Sequence, residues 1–183
     1  MSLNRKSLTW TEIDLDALRQ NLAAVRRCLR NPKIGVLAIV KADAYGHGMK
    51  AVAAGLWKHG VRFFGVANIE EAMELRHLLP QADILVLGSF HEDQVRLYVE
   101  HRVIPTVSGM EDLKTLARML RRNDRFPIHV KVDTGMGRLG VWHEETSAFF
   151  EALAKQKNIV VDGVYTHFSF VDHENGDSTE NQI

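Results

Sequence analysis

The chain predicts an α/β fold, a partial (β/α)8 TIM-like barrel carrying about six of its eight β/α units. Three observations lead there. Short aliphatic runs alternate with helical patterns along the chain. Successive units follow one another at about 20 to 30 residues, the length of a right-handed crossover between parallel strands. No linker, low-complexity segment or charge block divides them, so the reading is one domain. A doubly wound open sheet fits the alternation too, but the even march of units favours the barrel.

The first element is a helix. Leu15, Leu18, Leu22, Val25 and Leu29 recur at steps of three and four while Arg19, Arg26 and Arg27 fall on other faces, so residues 15–30 read as amphipathic. Asp14 caps its start and Asn31-Pro32 stops it. Strands are expected over 34–40, 63–67, 84–88, 103–107, 127–133 and 159–166, and helices near 49–58, 69–78, 91–100, 109–122 and 144–155. Ile34 to Val40 is nearly all aliphatic, the pattern of a parallel strand buried on both faces. Ser178 to Ile183 resembles a helix cap and first turn. An open six-strand arc would expose two edges, so the expectation is a fragment of a longer protein.

Composition narrows the function classes. The 183 residues are 45 % hydrophobic and 25 % charged, an ordinary globular balance. Lys plus Arg equals Asp plus Glu at 23 each, which leaves no basic field for nucleic acid or an anionic membrane and makes a small molecule the better partner. No apolar run approaches the roughly 18 to 20 residues that span a bilayer, and Met1 to Lys6 lacks the apolar stretch of a signal peptide, so a cytoplasmic location is expected. Cys28 is the one cysteine, in an amphipathic helix between charged neighbours, which suits a reducing compartment and argues against a nucleophile.

Chemistry is concentrated at strand ends. Lys41 comes after the first aliphatic run in Val40-Lys41-Ala42-Asp43-Ala44-Tyr45-Gly46-His47-Gly48, a glycine-punctuated turn. A desolvated lysine is more easily neutral and can attack a carbonyl carbon to form a Schiff base, whereas a solvated one merely rests its stem on the core. In the strand from His129 to Asp133, Lys131 and Asp133 share a face, which on a barrel is the interior; an interior ammonium must be paired, neutralised or modified. Gly135, Gly137 and Gly140 fit G-x-G-x-x-G with Asp162 about 20 residues on, but Val141 to His143 precede the helix and the apolar pattern continues past Asp162, both against a dinucleotide site. Arg138 in that loop offers a fork of donors to a carboxylate, phosphate or phenolate. His167 ends the last strand, where it can orient a partner or move a proton. Asp172, His173 and Glu174 lack the spacing of a metal site, and none is expected.

Lys41, Arg138 and His167 with their surroundings resemble the pyridoxal-phosphate barrel of the alanine racemase family. The specific match is Val40 to Gly48; Trp10 to Leu15, Lys131 to Gly140 and Tyr165 to Phe168 support it in the family's order. The resemblance implies that Lys41 holds pyridoxal 5'-phosphate and serves as acid or base on one face of the substrate's α carbon. It implies that Tyr45 lies near the cofactor phosphate, and that Arg138 contacts the phenolic oxygen and the substrate carboxylate. Met136 would offer its backbone to that carboxylate, and His167 would support the arginine facing the pyridine nitrogen. Lys131 corresponds to a lysine carbamylated in some members, an anion able to hold Arg138.

Residues 1–13 would form an N-terminal strand pairing with a C-terminal β domain, and 14–183 a truncated cofactor-binding barrel, in a homodimer interconverting L- and D-alanine. The second acid/base lies elsewhere in the family sequence, so the fragment alone is expected to be inactive. The alternatives are a non-catalytic pyridoxal-phosphate carrier and a racemase for serine or another small amino acid.

Overall fold

The structure, a computed structural model, describes residues 9–121 and 123–169 together with Thr179 and Gln182. Asp14 opens the first helix, its Oδ1 accepting the N–H groups of Asp16 and Ala17 at 2.8 and 3.1 Å. That helix, α1 (Leu15–Cys28), ends two residues before the predicted boundary. Next come β1 (Leu37–Ile39), a left-handed turn, α2 (Met49–Lys58), β2 (Phe63–Val66), α3 (Ile69–Leu78) and β3 (Asp83–Val86). The second half runs α4 (Val95–Glu100), β4 (Ile104–Val107), α5 (Met110–Met119), β5 (Phe126–Asp133), β6 (Val141–Trp142), α6 (Thr146–Leu153) and β7 (Ile159–Tyr165). Short 3-10 turns over Glu92–Gln94 and His143–Glu145 lead into α4 and α6.

Every strand pair is parallel, and the strands stand side by side in the order β1-β2-β3-β4-β5, with β7 next to β5. The result is the partial β/α barrel that the alternation predicts, each strand beside the next because a helical crossover returns the chain to the sheet. β6 joins only the carboxyl end of β5, Val132 facing Val141 and Asp133 facing Trp142. Two residues carry no readable periodicity, which is why the sequence does not announce it.

The core lies between sheet and helices. Phe64, Val66, Ile84, Val86, Ile128 and Val130 are sealed against Ile69, Ala72, Leu75, Leu113 and Leu116. Because neighbours on a strand alternate in direction, burying Ile128 and Val130 against helices turns His129 and Lys131 to the concave side.

One expectation fails. The run 34–40 is strand only over Leu37–Ile39, and Ile34 is half exposed. β1 has β2 as its one neighbour among the described residues, so burial on both faces does not develop. Residues 9–13, the described end of the expected N-terminal strand, have no strand partner among the described residues, and Trp10 stands in solvent with its indole N–H on Glu12 at 2.8 Å. A strand needs a hydrogen-bonding neighbour, and no described element supplies one there. The expected strand over residues 1–8, the helix start at Ser178 to Ile183 and the cluster Asp172 to Glu174 lie wholly or mostly outside the described residues. No described helix is long and apolar enough to cross a membrane.

Candidate functional site

The carboxyl ends of the strands surround a cavity of about 690 Å³. Leu37, Ile39 and Leu87 give it an apolar strip; Lys41, Lys131, Arg138 and His167 bring positive or protonatable groups, and Tyr45 and Tyr165 bring aromatic rings. No carboxylate is in its wall among the described residues. Five of the six residues singled out in the sequence therefore meet in one place: Lys41, Tyr45, Lys131, Arg138 and His167. Met136 does not line the cavity, since the turn that carries it points its neighbours' amides at Asp133 instead.

Lys41 stands directly after the buried Val40, where the backbone enters an unusual turn. Ala42, Asp43, Ala44 and Tyr45 all have φ between 51° and 57°, a run of left-handed residues bearing β carbons. Each such residue costs roughly 1–2 kcal/mol, a strain that the glycine punctuation of the sequence does not reveal. The strain falls on residues that have side chains, and Gly46 and Gly48 only close the segment.

Hydrogen bonds hold the turn. Ala44 N–H reaches Val40 O at 2.9 Å, Gly48 N–H reaches Asp43 O at 2.9 Å, and Met49 N–H reaches Asp43 Oδ1 at 2.7 Å. Glu71 adds a tie from outside, one oxygen accepting Ala42 N–H and the other Ala67 N–H, both at 2.8 Å. The Lys41 ammonium then lies 5.9 Å from the centroid of the Tyr45 ring, within cation–π range.

After β5, Asp133 organises the glycine-rich loop. Its carboxylate accepts the N–H groups of Gly135, Gly137 and Arg138 at 2.9, 3.0 and 3.0 Å. Burial pushes its pKa up, but these amides and that of Met136 outweigh it and hold the carboxyl below its ordinary 3.8. A phosphate cradle needs those amides free, so the dinucleotide reading is excluded by the chain's own anion. Gly140 is required here, because a β carbon would stand 2.7 Å from Asp133 N.

Lys131 is buried as the strand pattern expects, at 5 % exposure. Its ammonium has no hydrogen bond or ion pair among the described residues, and its pKa is lowered, first by burial, then by Arg138, with Lys41 adding and Asp133 opposing. The His167 imidazole is likewise held below its usual value by desolvation, then by Arg138, Lys131 and Lys41.

Several residues here escape a sequence reading. Thr106 Oγ1 donates to Val86 O at 2.7 Å and lies 2.8 Å from the Tyr165 hydroxyl; with its one proton so committed, it receives Tyr165's. Burial raises the Tyr165 pKa, with the Arg138 charge opposing. His129 sits between Phe63 and Tyr165, with Nε2 3.3 Å from Asp162 Oδ2, so Asp162 serves a histidine and not a ribose. Glu71 could have been found, since Asn68-Ile69-Glu70-Glu71 reads as a capping box. That pattern points only to a helix start.

A parallel β/α arc with a cavity at its strand ends, lined by a lysine and further cationic groups, defines a β/α-barrel domain with a candidate small-molecule site. The family model described as "Alanine racemase, N-terminal domain" matches residues 13–183, and the chain belongs to that family. It is 42 % identical over 170 residues to the alanine racemase of Geobacillus kaustophilus, covering 92 % of this chain and 44 % of that protein. To the alanine racemase of Chlorobaculum tepidum it is 41 % identical over 177 residues, with 94 % and 46 % covered. Among solved structures, alanine racemase of Clostridium difficile 630 superposes with a TM-score of 0.88 at 32 % identity, over 97 % of this chain and 49 % of that one. A histidine racemase from Leuconostoc mesenteroides gives 0.83 at 28 %, over 92 % and 45 %. The chain spans about half the length of the curated relatives it matches.

Proposed function

We propose that the whole protein is a pyridoxal-phosphate-dependent racemase of a small amino acid, alanine first, and that this chain supplies one face of the reaction. The observation that carries the reading is the cavity itself: Lys41 at a strand end, with Lys131, Arg138 and His167 in the same wall and no carboxylate among them. That donor set, beside the apolar strip of Leu37, Ile39 and Leu87, fits a flat aromatic aldehyde bearing a phosphate and a phenolate. Pyridoxal phosphate, when bound, stabilises the electron pair left at an amino acid's α carbon when its proton departs.

Lys41 Nζ would hold the cofactor, and its amine would take or return the proton on its own face of the substrate's α carbon. Tyr45 stands by to donate its hydroxyl to the phosphate. Arg138 would direct its fork to the phenolic oxygen and the substrate carboxylate, while the Met136 amide, turned to Asp133, is not free to join it. Lys131 is buried without a hydrogen bond or ion pair among the described residues, and carbamylation would turn it into an anion beside Arg138. His167 supports the group that faces the pyridine nitrogen. Racemisation needs a second acid/base on the opposite face, which no residue here is assigned, so residues 1–183 alone are inactive. Residues 1–13 pair with a C-terminal β domain, the protein is a cytoplasmic homodimer, and 14–183 form the cofactor barrel.

The likeness to a histidine racemase supports a family able to accept larger side chains, so serine or another amino acid is the second reading. A test is the absorbance of the full-length protein with pyridoxal phosphate. A band near ~420 nm is expected, lost on borohydride treatment and missing in Lys41→Ala. A colourless protein that cannot be reconstituted overturns the reading. A coloured one without racemase activity points to a carrier.

A further inference from the structure

We propose that Glu71 is the positioning residue that sets Lys41 in the cavity, by clamping from outside the strained backbone turn that follows it. The inference rests on Lys41 being the lysine that takes the cofactor. The Ala42 N–H belongs to the peptide that joins Lys41 to Ala42, and its acceptor is Glu71 Oε1 at 2.8 Å. The other carboxylate oxygen takes Ala67 N–H at 2.8 Å, at the carboxyl end of β2, and Ala67 itself lines the cavity.

Glu71 is in turn immobile at its root. Its own N–H donates to Asn68 Oδ1 at 2.9 Å, and α3 is anchored by Ile69 and Ala72, exposed by 1 % and 0 %. In an ordinary capping box the third-position Glu turns back to the N–H of its own cap. Here it is diverted to the residue before the cap and to the neighbouring strand end. A neutral acceptor would bridge two amides less well, because a carboxylate has an acceptor oxygen for each and the bonds are charge-assisted.

The clamp bears on Lys41 because the four residues after it, Ala42 to Tyr45, are strained. All four lie in the left-handed region and have a downhill route to ordinary backbone geometry, and the first of them carries the clamped amide. The other tie between these helices, Lys50 to Glu74 at 2.9 Å, is solvent-exposed and contributes little.

The experiment compares full-length wild type with Glu71→Ala, Glu71→Gln and, as a neighbour control, Glu70→Ala. One readout is amide hydrogen exchange over residues 40–46 against the central strand 104–107. The other is the rate at which added pyridoxal phosphate becomes a borohydride-fixed mass adduct on Lys41.

Glu71→Ala is expected to speed exchange over 40–46 and to slow adduct formation, each about tenfold, with 104–107 as protected as in wild type. Glu71→Gln keeps one acceptor oxygen and falls between, while Glu70→Ala matches wild type. Unchanged exchange and adduct rate in Glu71→Ala overturn the proposal. So does an equal loss of protection at 104–107, which would make Glu71 a helix cap for the whole fold. If Lys41 gains no adduct even in wild type, the cofactor reading fails while the exchange pattern still decides the clamp.

Discussion

Gly163 on β7 and His129 on β5 are register partners, and a β carbon at Gly163 would collide with the His129 imidazole. The register shifts by one residue between Ile128 and His129, which brings the glycine under the ring. His129 thereby stays buried at 9 % exposure while its Nε2 reaches Asp162. Gly163→Ala is expected to lower unfolding free energy by about 1–3 kcal/mol through overpacking, measured by urea titration. A loss within the scatter of surface substitutions would mean that the ring simply swings aside.

Asp133 is the fixed point of the loop that carries Arg138. Asp133→Asn keeps one acceptor oxygen but turns an NH2 toward amides that can only donate, at an expected cost of about 1–3 kcal/mol. The folded carboxyl is held below 3.8, so wild type keeps this contribution above that pH and loses it as pH falls through the depressed value. Acid titration of stability therefore shows a step in wild type that is missing in Asp133→Asn. The same acid profile in both proteins would contradict the loop's dependence on this charge.

Lys131 has the opposite sign. Its pKa is below the ordinary 10.5, so over the interval between the two values the unfolded chain binds more protons and stability rises with pH. Below that interval the buried ammonium destabilises the fold. In carbonate-free buffer Lys131→Met is expected to be more stable than wild type at about pH 7, with the gain shrinking toward about pH 10. A gain independent of pH would reduce the effect to packing alone.

Thr106 links three strands through one hydroxyl. Thr106→Val leaves Val86 O without this donor and Tyr165 without its acceptor, and is expected to cost about 1–3 kcal/mol. It should also shift the phenol's titration, followed by ultraviolet absorbance, because the Tyr165 hydroxyl loses the partner to which it donates. Thr106→Ser, which keeps the hydroxyl, should restore both. Failure of serine to do so would assign the effect to the lost methyl.

The strand order was legible because each aliphatic run leads into an amphipathic helix, and a crossover of that length leaves few alternatives. Lys41, Arg138 and His167 could be picked out as strand-end residues, Lys131 by the alternation within its strand and Tyr45 by the family resemblance, and all of them line one cavity. What the sequence misjudged was local. Ile34 to Val40 is aliphatic enough for a doubly buried strand, yet burial depends on neighbours that composition does not name. The left-handed geometry of Ala42 to Tyr45 was hidden because alanine and tyrosine disfavour it and aspartate adopts it only occasionally, as a single residue and not in a run of four.

By itself, then, the sequence determined the periodicity of the elements, the β/α alternation and the placing of a lysine, an arginine and a histidine at strand ends. Those arise from local spacing, which any stretch of chain carries. Only the tertiary structure decided that Asp133 satisfies the glycine loop, that Lys131 is buried without a partner, and that Glu71, 30 positions beyond Lys41, holds the turn into which Lys41 leads. Each is a contact between side chains and backbone that local spacing does not specify, and it exists only once the sheet has brought β1, β2, β5 and β7 to the same rim.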